Sequence, residues 1–316
     1  MLRHFMVRGR GGDSRAVLNF DDTYLGLSKS EALDVAKAYY DHGVYPEAFL
    51  RVLNVEDRGG GTWRATVTVT EPDGRPAENL TPADFTVSTN GGDAAAPATA
   101  TTVAQLSEDD LDLRAPIVVD DSGSITDCDA KFVADGLGYL YGALPHFYEF
   151  SLIKFGSNVR MVQDWTSDAD ALAAAQWNLC ENGLTSLWDA LDLALGESVN
   201  DGRGLDVVFL FSDGVDNDSA KTVDNVIAQS QQKNVPVFTV ALGFADIFAL
   251  GKLALATHGG LVYVPHGEKV LQGFETLTAF ILKSYVIEWT ADESVVSIEI
   301  TADLGEDGTV SGGFSK

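Results

Sequence analysis

Apolar and polar positions change their period twice along this chain, and the changes divide it. Trp63, Ala65, Val67 and Val69 alternate with Arg64, Thr66, Thr68 and Thr70, the period-two pattern of a half-buried strand. Residues 84–87 (Asp-Phe-Thr-Val) make a further short strand. Pro72-Asp73-Gly74 and Asn90-Gly91-Gly92 punctuate these runs: proline fixes φ, and glycine supplies positive φ. From 115 to about 283, short apolar runs alternate instead with stretches of helical spacing. The runs at 116–119, 147–155, 159–162, 206–211, 236–242 and 261–264 predict strands. Between and after them, helices are expected at about 127–142, 168–179, 186–195, up to a stop at Asn234, at 247–256, and around Leu271, Phe274, Leu277 and Ile281. The period then returns to two, in Tyr285, Ile287 and Trp289 and again in Val296, Ile298 and Ile300.

Strands alternating with helices of this length predict an α/β unit with a doubly wound, mostly parallel sheet. β-type sequence flanks it on both sides. The economical reading is one β-sandwich built from residues 48–113 and 284–316, with the α/β domain at 114–283 inserted into it, since the ends of a domain commonly lie close together. Residues 94–102 are low in complexity and read as a loop or linker. Residues 1–47 form an N-terminal segment without an assigned role. Within it, Ser28-x-x-Glu31, a helical stretch and Gly43 predict one capped helix.

Composition changes this picture at few points. The chain has 316 residues, of which 45% are hydrophobic, enough for a substantial core. Its net charge of -26, from 21 basic and 47 acidic residues, argues against a nucleic-acid partner, which requires clustered Lys and Arg. No apolar run approaches the ~20 residues of a membrane-spanning helix. The N-terminus lacks the apolar middle of a signal peptide. A cell-surface, periplasmic or secreted location is therefore expected only if a leader has been lost, and a cytoplasmic one otherwise. Five histidines show no ligand spacing, and the two cysteines make no zinc site. Cys128 and Cys180 lie near the candidate site in sequence. They are expected either to bond, bracing its loops, or to remain two separate buried thiols.

The candidate chemistry sits where the strand at 116–119 empties abruptly into Asp120, Asp121, Ser122, Gly123 and Ser124. A buried strand ending in acid and hydroxyl groups is the carboxyl end of a parallel strand, where open α/β sheets place ligands. Asp120-x-Ser122-x-Ser124 offers hard oxygen ligands from one turn and leaves room for water or a partner's oxygen. Two further segments carry similar groups. One is Asn182-Gly183-Leu184-Thr185, before the helix at 186; the other is Ser212-Asp213-Gly214, at the end of the strand at 206–211.

This set, in this order, resembles the von Willebrand factor A domain and its metal-ion-dependent adhesion site (MIDAS). The matching segments are the D-x-S-x-S turn, G-x-T-S-L-W-D-A-L, FLFSDG, PVFTVALG and LALATHGGLVYV, covering about residues 113–284. The segment EPDGRPAENLTPADFTV more loosely resembles the β-sandwich beside such domains in bacterial surface proteins. The resemblance implies that Ser122, Ser124 and Thr185 bind Mg²⁺ or Mn²⁺ through hydroxyls, while Asp120 and Asp213 hold metal-bound waters. Neutral hydroxyls leave the ion electron-poor, so that it favours an outside carboxylate. Two departures stand out. Leu184 replaces a common second glycine, which would stiffen that loop. Asp121 adds an acid that strand alternation should point away from Asp120.

The resemblance implies a non-enzymatic module that grips an exposed Asp or Glu of a protein or peptide through the metal. The alternative expectation is an intracellular assembly factor of the kind that accompanies chelatase-like ATPases. An enzyme is disfavoured, because the sequence shows no nucleophile–base pair, no G-x-S-x-G and no phosphate loop.

Overall fold

The computed structural model describes residues 6–10, 13–17, 48–72, 74–90, 98–99, 102–106, 113–125, 127–144, 148–176, 183–199, 204–291, 295 and 297–315. The expected helix after Ser28 lies outside the described residues. Strands β1 (Met6–Arg10) and β2 (Asp13–Val17) pair antiparallel with each other. Strands β3 (Phe49–Gly59) and β4 (Thr62–Thr70) form a hairpin closed by Gly60 and Gly61, with φ of 65° and 80°. A two-residue turn that matches the strand twist needs positive φ at both positions, which glycine adopts without strain. Then come β5 (Phe85–Thr89), β6 (Ala98–Thr99) and β7 (Thr102–Gln105). Residues 94–102, expected as a loop or linker, thus contain a two-residue strand and the start of another.

The α/β unit opens with β8 (Leu113–Asp120), followed by helix α1 (Asp127–Ala143), β9 (Tyr148–Phe155), β10 (Val159–Thr166), α2 (Ala169–Ala175) and α3 (Leu187–Glu197). It continues with β11 (Leu205–Asp206), β12 (Val208–Ser212), α4 (Val223–Lys233), β13 (Val237–Leu242), α5 (Ile247–Ala256), β14 (Leu261–Val264) and α6 (Val270–Leu282). The sheet order is β10-β9-β8-β12-β13-β14, with β11 also paired to β8. All pairings are parallel except that of the edge strand β10. Helices α1, α2 and α6 cover one face, through Leu137, Leu140, Leu172, Phe274 and Leu277. Helices α3, α4 and α5 cover the other, through Leu191, Leu195, Val226 and Leu250. Strands covered on both faces need no polar face, so β8, β12 and β13 read as continuous apolar runs. The chain leaves β8 toward β9 and later returns on its other side as β12. The crevice between the carboxyl ends of β8 and β12 is therefore a topological switch point.

Strands β15 (Tyr285–Thr290), β16 (Ser297–Asp303) and β17 (Thr309–Ser315) follow. They complete two four-stranded sheets, β3-β4-β15-β7 and β17-β16-β5-β6. Each sheet mixes strands from before and after the α/β unit, and one apolar cluster joins them, with Trp63, Val67, Phe85, Val87, Ile287, Trp289 and Ile300 at its centre. The expectation of a half-buried β4 needs correction: Arg64, Thr66, Thr68 and Thr70 are buried as well. The threonine-bearing face turns toward the α/β unit. There Thr68 Oγ1 donates to the Phe280 carbonyl at 3.2 Å and lies 2.9 Å from Ser284 Oγ. On β3, Leu53 joins the α/β core, and Asn54 donates to the Gly204 carbonyl at 2.7 Å. Lys283, between α6 and β15, pairs with Glu78.

Candidate metal-binding site

The crevice at the switch point is built from three chain segments. The first is the end of β8, where Asp120 is fully buried. Its Oδ1 accepts the Ser122 backbone N–H at 3.0 Å, which closes the turn. Its Oδ2 accepts the Ser212 hydroxyl at 2.6 Å from the end of β12. Burial pushes the Asp120 carboxyl above the usual carboxylate range, while the hydrogen bonds from Ser122 and Ser212 pull the other way. Ser122 Oγ lies 3.0 Å from Ser124 Oγ, and the exposed Ser124 hydroxyl donates to Asp213 Oδ1 at 2.7 Å. Four of the five expected residues are thus linked by hydrogen bonds across β8 and β12.

Thr185, the fifth, reaches the crevice by packing. A Cβ placed on Gly214 would lie 3.4 Å from both Thr185 Oγ1 and Asp120 Oδ2. Gly214 thus stands in close contact with both Thr185 and Asp120, where the three segments meet. The loop holding Thr185 leans on the β9–β10 hairpin tip: the Leu184 N–H donates to Ser157 Oγ at 2.8 Å, and the Ser186 N–H to the Gly156 carbonyl at 3.0 Å. The Gly123 N–H reaches the Gly183 carbonyl at 3.3 Å, joining this loop to the D-x-S-x-S turn. Asn182, on the same loop, lies outside the described residues. So does the proposed pairing of Cys128 and Cys180.

Asp121 follows the alternation and turns aside. Its side chain is buried, and its Oδ2 meets Arg160 Nη2 of β10 at 3.2 Å. A charge held in that pair adds little repulsion to the crevice.

The sequence reading missed the residues after Gly214. Asn217 Oδ1 accepts the Thr185 N–H at 2.8 Å, and the Asn217 and Asp218 N–H groups donate back to the Thr185 carbonyl at 3.0 and 3.2 Å. Asp216 Oδ1 accepts the Leu187 N–H at 3.0 Å. Ser219 Oγ accepts from Trp188 and Asp189 at 3.0 and 3.2 Å and itself donates to Asp216. The amino end of α3 is therefore capped from a distant loop, whereas the side chain of Ser186, its own N-cap residue, makes no capping bond. The only local signal was the turn-rich run Asp213-Gly214-Val215-Asp216-Asn217-Asp218-Ser219. Asp216→Ala is expected to lower stability by about 1–2 kcal/mol, as loss of an N-cap does, read as a shift of the urea midpoint without a change in slope.

The donor set fits a hard divalent cation. It comprises three hydroxyls and two carboxylates, with no thiolate or imidazole, and oxygen ligands of this kind suit Mg²⁺ or Mn²⁺. Among the described residues no group of three or more His, Cys, Asp or Glu gathers as a metal cage.

A doubly wound sheet with an oxygen-rich crevice at its switch point is an open α/β fold, a class that places its ligand sites at such crevices. More narrowly, the chain belongs to the von Willebrand factor type A domain family, whose model matches residues 116–276. Domains of this family commonly bind a divalent metal at the MIDAS. Among solved structures, the chain is similar to proximal thread matrix protein 1 from the mussel byssus. The two share 14% identity and a TM-score of 0.51, over 60% of this chain and 51% of that one. A second structure of the mussel protein, described as having a zinc-occupied MIDAS motif, gives 15% identity and a TM-score of 0.51, over 60% and 49%. A von Willebrand factor type A protein from Catenulispora acidiphila gives 12% identity and a TM-score of 0.49, over 87% and 74%. The chain spans about half the length of the mussel proteins it matches, and at such identities the likeness is one of fold. No curated protein matches the chain.

Proposed function

We propose that this protein is a non-enzymatic binding module that holds Mg²⁺ or Mn²⁺ at its crevice and grips a carboxylate of a protein or peptide partner through it. The observation that carries this reading is the convergence of Ser122, Ser124 and Thr185 with Asp120 and Asp213 around Gly214. The three hydroxyls would contact the ion. Asp120, fixed by Ser122 and Ser212, and Asp213, fixed by Ser124, would orient the waters around it. A bound ion supplies Lewis acidity toward an anionic oxygen, which uncharged hydroxyl ligands leave largely unspent.

The interleaved flanking sheets serve in this reading as one sandwich domain, residues 48–113 and 284–316, carrying the A domain at 114–283. The buried contacts of Thr68 and Leu53 support a fixed mount rather than a flexible tether. Calorimetric titration with Mg²⁺ and with Mn²⁺ tests the metal site, and saturable binding in the millimolar range or tighter is expected. A peptide bearing a single aspartate should then bind in Mg²⁺ and be released by chelator. Failure to bind either ion, or peptide binding that persists in chelator, overturns the proposal.

A further inference from the structure

Five large apolar side chains are exposed among the described residues: Leu184, Val199, Val215, Phe244 and Leu271. Three of them stand on loops at the carboxyl edge of the sheet, two beside crevice residues and one on the loop after the neighbouring strand. Leu184, 50% exposed, immediately precedes Thr185. Val215, 52% exposed, immediately follows Gly214, the residue against which Thr185 and Asp120 pack. Phe244 is 78% exposed and belongs to the turn that ends β13. Strands β12 and β13 are parallel neighbours, with Ser212 opposite Ala241, so Val215 and Phe244 lie equally far past that pair. Of the other two exposed residues, Val199 follows the carboxyl end of α3, and Leu271 belongs to the first turn of α6.

Acidic residues stand near these positions along the chain, among neutral groups such as Ser124 and Asn217. Asp213 lines the crevice, Asp216 and Asp218 follow Val215, and Asp246 caps α5 two residues after Phe244. A water-facing rim that pairs bare apolar side chains with acids disfavours a purely acidic ligand and leaves apolar surface uncovered. From this arrangement we infer that the crevice takes a peptide segment with one Asp or Glu set between large apolar residues and flanked by Lys or Arg. The carboxylate enters the crevice. Leu184, Val215 and Phe244 cover the apolar neighbours, and the surrounding aspartates attract the basic flanks. This inference rests on the metal-grip reading and adds to it the composition of the partner.

The test uses fluorescence polarisation with three labelled, lysine-flanked peptides in millimolar Mg²⁺. One has an aspartate between leucine and phenylalanine, the second replaces those two by serine, and the third has asparagine for the aspartate. The first should bind at least ~10-fold more tightly than the second, the effect of covering one large apolar side chain. Phe244→Ser, and Leu184→Ser combined with Val215→Ser, should erase that preference while Mg²⁺ titrations match the parent protein. Val199→Ser, away from the rim, should leave the preference intact. Equal binding of the first two peptides, rim variants that keep the preference, or no peptide binding at all overturns the inference. The metal reading fails separately, if the parent protein binds no Mg²⁺ or the asparagine peptide binds as well as the aspartate one.

Discussion

Asp120→Asn is expected to lower Mg²⁺ affinity by ~10–100-fold, the usual cost of losing a group that orients a metal's surroundings. The side chain it replaces is fully buried and holds two contacts, the Ser122 N–H through Oδ1 and the Ser212 hydroxyl through Oδ2. Asparagine can keep only one of these as an acceptor, and it removes the charge opposite the ion. The fold should survive, because burial already works against the ionised carboxylate. Asp120→Ala would also leave the Ser122 N–H without its partner, adding about 1–3 kcal/mol of destabilisation. Calorimetric Mg²⁺ titration, run beside circular dichroism of the metal-free variants, separates the two effects. An Asp120→Asn protein with parental Mg²⁺ affinity would remove Asp120 from the metal site.

Phe274→Ala should destabilise the α/β unit by about 3–5 kcal/mol, the range for deleting a buried aromatic ring. Phe274 is 2% exposed and stacks on Phe211, with ring centroids 6.2 Å apart and planes 15° from parallel. Its ring also fills the hollow over Gly136, where an added Cβ would lie 2.3 Å from Cδ2. The closest approach of α6 to α1 at a glycine is therefore this ring on Gly136, within a cluster that also holds Leu137, Leu140 and Leu277. Phe211 immediately precedes Ser212, so the stacked pair lies one residue from the end of β12. Urea denaturation reads the loss. A change below 1 kcal/mol would show that the ring contributes little to the packing of α6.

The expected doubly wound sheet and its helices were legible because each period is local. Helical spacing in 247–256 and the apolar runs of β8, β12 and β13 record burial that every such segment experiences along its own length. The five crevice residues were legible for a related reason. Four of them follow the apolar runs of β8 and β12, where the side chains change abruptly from apolar to acid and hydroxyl, whereas Thr185 was carried by the resemblance of G-x-T-S-L-W-D-A-L. Strand β3 was not singled out, because both of its faces are buried and no alternation remains. Strand β17 was missed because Gly312 and Gly313 weaken its strand signal. Gly312 is nonetheless required there, since a Cβ would lie 2.4 Å from the Leu50 carbonyl oxygen of β3.

By itself the sequence determined the class of each central element, their order, and which residues stand at the strand ends. These follow from side-chain period and turn chemistry within a few residues of one another. Only the tertiary structure decided what those residues meet. It turned the threonine face of β4 inward against α6, paired Asp121 with Arg160 of β10, and capped α3 with Asp216 and Ser219 from a loop about 30 residues away. It also left Leu184, Val215 and Phe244 exposed on loops at the carboxyl edge of the sheet. A local pattern can record that a side chain is buried or a backbone N–H is satisfied. It cannot name the partner, because the partner is chosen by how sheets and helices stack after the chain has closed long loops.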